Sequence, residues 1–105
     1  MARFALSEYT TALEDFSAGI GLNFDNARSY YYRAETLHYL GRHKEAIDDF
    51  NRALERDPFK SEFYLGRARA FLDYGKRGYA ASDCRKALNL SPDLSEAAEL
   101  LKRLG

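Results

Sequence analysis

One cysteine, two prolines, two histidines and no net charge are the scarcities of this 105-residue chain, and each removes something. A lone Cys84 cannot form an internal disulfide, so the fold does not depend on an oxidising compartment. The 16 Lys and Arg are balanced by 16 Asp and Glu, so nothing global favours nucleic acid or an anionic membrane as a partner. No apolar run approaches a membrane span, and the N-terminus lacks the apolar stretch of a signal peptide. A cytoplasmic setting without membrane contact is the default expectation, barring a targeting segment beyond this sequence. No glycine-rich phosphate loop and no zinc-type ligand spacing occur. Glu35 and His38 lie one turn apart and His43 comes just after Gly41, but residues on solvated helices do not by themselves make a shielded, convergent site. The expectation is no enzyme, no catalytic residue, no metal and no cofactor.

What the chain does have is a repeat. Ala46, Ile47, Phe50, Ala53 and Leu54 recur as Ala80, Ala81, Cys84, Ala87 and Leu88, and earlier as Ala12, Leu13, Phe16, Gly19 and Ile20. Each step is 34 residues (46−12, 80−46), and Pro58 returns at Pro92 by the same interval. A fixed period of that size marks a stacked repeat in which one helical unit leans on the next.

Apolar residues at i, i+1, i+4, i+7 and i+8 share one helical face. They predict three equivalent B helices over roughly 8–22, 42–56 and 76–90. Two A helices, roughly 27–40 and 61–74, carry Tyr30, Ala34, Leu37 and Tyr64, Ala68, Phe71 in the same register. Gly41 and Gly75 come after the A helices, where a positive φ ends a helix cheaply. Pro58 and Pro92 come after the B helices and disfavour helical backbone at Asp57 and Ser91. A last helix, roughly 94–104, opens with Asp93 and Glu96 in capping-box spacing and shields the final repeat with Leu94, Ala97, Leu101 and Leu104. Cys84 takes the place of Phe50 and reads as a small buried apolar residue. Gly66, inside a helix, reads first as a close helix approach and second as room for a ligand backbone. Lys44, Glu45, Asp48, Asp49 and Arg52 read as a solvated face, with Lys44–Asp48 and Asp48–Arg52 as i, i+4 pairs.

These positions resemble the tetratricopeptide repeat family. The second unit supplies Tyr30, Ala34, Leu37, Gly41, Ala46, Phe50, Ala53 and Pro58; the third supplies Tyr64, Ala68, Phe71, Gly75, Ala80, Cys84, Ala87 and Pro92. The resemblance implies an all-α solenoid of stacked antiparallel helix pairs, about two and a half repeats and a capping helix, in one domain. The units are 1–26 (incomplete, mainly a B helix), 27–60 and 61–92, with the cap at 93–105. It further implies a protein-interaction module that holds a peptide or helix in a concave groove lined by A helices.

In such a groove the contact positions would be Arg28, Tyr31, Tyr32, Glu35, His38 and Tyr39 from the second unit, with Leu65, Arg69 and Leu72 from the third. Glu62, Gly66 and Asp73 share that register. Some members grip chaperone C-terminal carboxylates with Lys, Asn and Arg. Tyr32 stands where the Asn would be, and Glu62 and Gly66 where the Lys and Arg would be, so a chaperone tail is disfavoured. The alternative is a self-associating scaffold, or an excised or engineered array, that dimerises through its incomplete first unit at Phe4, Leu13 and Phe16.

Overall fold

The computed structural model describes residues 26–104 together with Leu13, Glu14 and Ser17. Those three are helical, within the predicted first B helix. The rest of that helix, and with it Phe4 and Phe16, lies outside the described residues. Beyond it run five helices: α1 (Ala27–Tyr39), α2 (His43–Arg56), α3 (Ser61–Asp73), α4 (Arg77–Leu90) and α5 (Ser95–Leu104). No strand occurs among the described residues, and none of the described helices is long and apolar enough to cross a membrane. The fold is an all-α helical-repeat solenoid. Each helix packs on its neighbours in the chain, and α1 also touches α3.

The punctuation repeats with the period. At the end of α1 the Gly41 amide donates to the His38 carbonyl at 3.0 Å and the Arg42 amide to the Leu37 carbonyl at 2.9 Å. At the end of α3 the Gly75 amide donates to Leu72 at 3.0 Å and the Lys76 amide to Phe71 at 2.8 Å. Both are Schellman closures, and they need the φ of +80° at Gly41 and +86° at Gly75 that only glycine adopts without strain. Asp57 (φ −146°) and Ser91 (φ −137°) are held extended ahead of their prolines. Asn26 starts α1, its side chain accepting from the Arg28 and Ser29 amides.

The core forms where the pairs meet. Ala34, Leu37, Ala46, Ile47, Phe50 and Ala70 make one buried cluster, on which Leu13 packs while remaining partly exposed. Leu65, Ala68, Ala80, Cys84, Ala87, Ala97 and Leu100 make another. Phe50 and Phe63 are the largest fully buried apolar side chains among the described residues, each worth roughly 2 kcal/mol or more in transfer free energy. Phe63 is not among the residues the periodicity marks for packing, because its counterpart 34 positions earlier is Ser29.

Gly66 sits against Phe50. A Cβ there would lie 2.6 and 2.8 Å from two ring carbons of Phe50 and 3.4 Å from Tyr31. The absent side chain is what lets α3 approach α2.

Two sequence expectations about charge are corrected. Asp49 is not on a solvated face: it is 1% exposed and receives Arg33 through two bonds, Nε–Oδ2 at 2.5 Å and Nη2–Oδ1 at 2.8 Å. Arg52 pairs with Asp49 at 2.7 Å rather than with Asp48, because Asp49 turns toward α1 and gathers both guanidiniums. Glu96 is exposed and bonds Arg69 of α3 across the surface. Lys44 does reach Asp48, at 3.6 Å.

Candidate functional site

The face shared by α1 and α3 collects the residues expected to line a groove, and it sorts them into two groups. Tyr31 is half-buried: its ring stacks on Phe63 at 4.8 Å between centroids and lies 5.9 Å from Phe50. Leu65 is 5% exposed and shares a cluster with Ala97 and Leu100 of α5. Leu72 packs on that same cluster. Leu65 is therefore a packing residue and not a groove contact, because α5 shares the apolar core that buries it. Tyr31 and Leu65 are 34 positions apart and play one role, each seating its helix against the helix two places further along the chain.

The other group reaches solvent. Tyr32 is 39% and Tyr39 66% exposed, and Arg28, Glu62 and Arg69 have solvent-exposed side chains too, though Arg69 is bonded to Glu96. Arg28 Nη1 donates to the Tyr32 hydroxyl at 3.5 Å, across one turn of α1. Tyr32 and Tyr31 rings lie 5.4 Å apart, so the exposed tyrosine is braced by the half-buried one. Glu35 lies partly buried between them and the far end of the face. Burial raises its carboxyl above the ordinary range, with Tyr31 and Arg69 drawing it part of the way back. Burial likewise raises the Tyr31 hydroxyl, and the neighbouring Glu35 pushes it further the same way.

At the far end, His38 Nε2 lies 2.6 Å from Asp73 Oδ2, linking the last turn of α1 to the last residue of α3. His38 stacks on Tyr39 with centroids 6.0 Å apart, and His43 meets His38 edge-on at 5.1 Å. His38 and His43 stand five residues apart in the sequence, and the turn at Gly41 brings their rings together.

Two networks have no counterpart among the sequence expectations. Arg33 and Asp49 recur as Arg67 and Asp83, where Nε–Oδ2 is 2.8 Å and Nη2–Oδ1 2.7 Å. Arg33 also donates to Ser17 at 3.3 Å, and Arg67 to Asn51 at 2.8 Å, again one period apart. Each guanidinium lies 5.6 Å from a tyrosine ring, Tyr30 and Tyr64 respectively. A separate cleft of about 340 Å³ is walled in part by Arg33, Asp49 and Arg52, but those charges pair with one another.

Comparison with known proteins agrees with this architecture. A family model described as tetratricopeptide repeat matches residues 27–60. The fold is similar to that of the Arabidopsis OM64 TPR domain, with a TM-score of 0.90 and 31% identity, over 93% of this chain and 81% of that one. It is also similar to the second TPR domain of human RPAP3, solved in complex with the HSP70 peptide SGPTIEEVD, with a TM-score of 0.89 and 26% identity over 93% and 82% of the two chains. Among curated proteins, DnaJ homolog subfamily C member 3 of Rattus norvegicus is 29% identical over 100 residues, or 95% of this chain. This chain spans about a fifth of the length of that relative.

Proposed function

Because the chain belongs to the tetratricopeptide repeat family, we propose that the α1–α3 face is the site at which it binds a peptide or helix of a protein partner. The observation that carries this reading is the pair of exposed tyrosines, Tyr32 and Tyr39, standing beside Arg28 and His38 on one helix. A tyrosine offers a broad apolar surface, a polar tip and few rotatable bonds, which suits it to peptide capture. Half-buried Tyr31 and buried Phe63 stiffen the platform from below, so less conformational freedom is lost on binding.

An acidic peptide like the HSP70 peptide bound by human RPAP3 is disfavoured as the ligand. Tyr32, Glu62 and Gly66 occupy the clamp positions, and Glu62 and Glu35 would repel the carboxylates of such a tail. The selectivity is for peptides whose apolar side chains rest on the tyrosines, with Arg28 fixing the register.

The test is selection from a random peptide library against the full chain, then titration of the selected peptides and of SGPTIEEVD. Removing one such aromatic contact costs about 2 kcal/mol, roughly a thirty-fold loss of affinity. Tyr32→Ala with Tyr39→Ala should therefore abolish binding of the selected peptides while leaving the helical circular dichroism intact. Undiminished binding by the double variant would move the site off this face. Tight binding of SGPTIEEVD would reverse the proposed selectivity.

A further inference from the structure

We propose that His38, His43 and Asp73 form a binding site for one divalent transition-metal ion of the zinc class. The proposal goes beyond peptide binding and does not rest on it. The chain has two histidines and both are here. One ligand atom from each imidazole and one carboxylate oxygen all lie within 4.8 Å of one another. Tetrahedral zinc with bonds of about 2.0–2.2 Å holds its ligands roughly 3.4 Å apart, so closure needs a side-chain adjustment on the order of an ångström.

The backbone makes this convergence. His38 lies in the last turn of α1, His43 begins α2, and the Gly41 turn at φ +80° folds one back beside the other. Asp73 comes from the matching end of α3. The donor set is two imidazoles and one carboxylate, which suits zinc, nickel or cobalt and not calcium or magnesium.

A plain hydrogen bond between His38 and Asp73 does not account for the whole cluster. The Nδ1 atom of His43 is buried and has no hydrogen-bond partner among the described residues. An unsatisfied buried polar atom is costly, and coordination of the cation through this Nδ1 would satisfy it. The Asp73 side chain is 53% exposed, so a fourth coordination position is open to water. With one ligand from each of α1, α2 and α3, the ion joins two successive helix pairs and stiffens the joint between them.

The test uses the full chain stripped with chelator and titrated with Co²⁺ and with Zn²⁺. The expected result is one ion per chain at micromolar concentrations, visible d–d absorption from cobalt, and no thiolate-to-cobalt band, which separates this site from Cys84. Zinc should raise the thermal midpoint of the wild-type chain. His43→Ala and Asp73→Asn should each weaken binding at least about tenfold, since losing a ligand costs no less than losing one of its outer-shell partners. Should His43→Ala fail to fold by circular dichroism, the half-exposed Asp73→Asn carries the test, with loss of the zinc-induced thermal shift as its readout. No binding at micromolar metal, or affinity unchanged by Asp73→Asn, overturns the proposal.

Discussion

Arg67 and Asp83 meet through two bonds with the aspartate 2% exposed, and the same pair stands 34 residues earlier as Arg33 and Asp49. A buried carboxylate without its cation is expensive, and so is a part-buried guanidinium without its carboxylate. Asp83→Ala should cost about 3 kcal/mol, read as a lower midpoint in urea unfolding, because Arg67 keeps only Asn51 as a hydrogen-bond acceptor among the described residues. Adding Arg67→Met to Asp83→Ala should recover much of that loss, since no charge is then stranded. A cost for Asp83→Ala within experimental error of zero would mean the pair is solvated in solution. These residues show where sequence reading stops. Asp49 sits among Lys44, Glu45, Asp48 and Arg52, and nothing in that local run distinguishes it from a surface charge. The distinguishing mark is its recurrence at Asp83, together with Arg33 at Arg67, which periodic reading of apolar positions alone passes over.

An element such as α3 is defined by what its sides must avoid as much as by what they bury. Gly66 lies against the Phe50 ring with no side chain of its own. Gly66→Ala gains about 1 kcal/mol of helix propensity. It also forces a methyl to within 2.6 Å of a fully buried ring, and overpacking of that kind costs about 1–3 kcal/mol. The expected net effect is a loss of up to about 2 kcal/mol, measured as a fall in the thermal midpoint; a rise would show that Phe50 yields. The five described helices from Ala27 to Leu104 were legible to within a residue or so at each end. Glycine at positive φ and proline after a helix are backbone constraints that a sequence states outright. The side-chain assignments were less legible, for a physical reason. Tyr31 and Leu65 fall in the groove register, yet both are turned into packing by whatever lies beyond them, Phe63 for one and α5 for the other. Register gives the direction a side chain leaves the helix, and only the neighbouring element decides whether water is there.

At the scale of the whole molecule, contacts run from each helix to the next, with α1 and α3 the added meeting that carries both the tyrosine face and the histidine cluster. The stacked architecture was legible from the 34-residue period; the convergence of His38, His43 and Asp73 was not, because it depends on where two turns place side chains from separate pairs. Such a chain does not have to open all at once. The cluster that contains Cys84 is closed on one side by Ala97 and Leu100 of α5. The Cys84 thiol is fully covered, and burial, then the neighbouring Asp83, raises its pKa, so a soft electrophile finds neither access nor thiolate while the last helix is seated. Its alkylation rate then becomes a clock for the detachment of α5. Leu100→Ala, which removes about 2 kcal/mol or more of packing, should speed the reaction roughly thirty-fold if α5 leaves by itself. A rate in the wild-type chain equal to that of a free thiol would mean that the end of the solenoid stands permanently open.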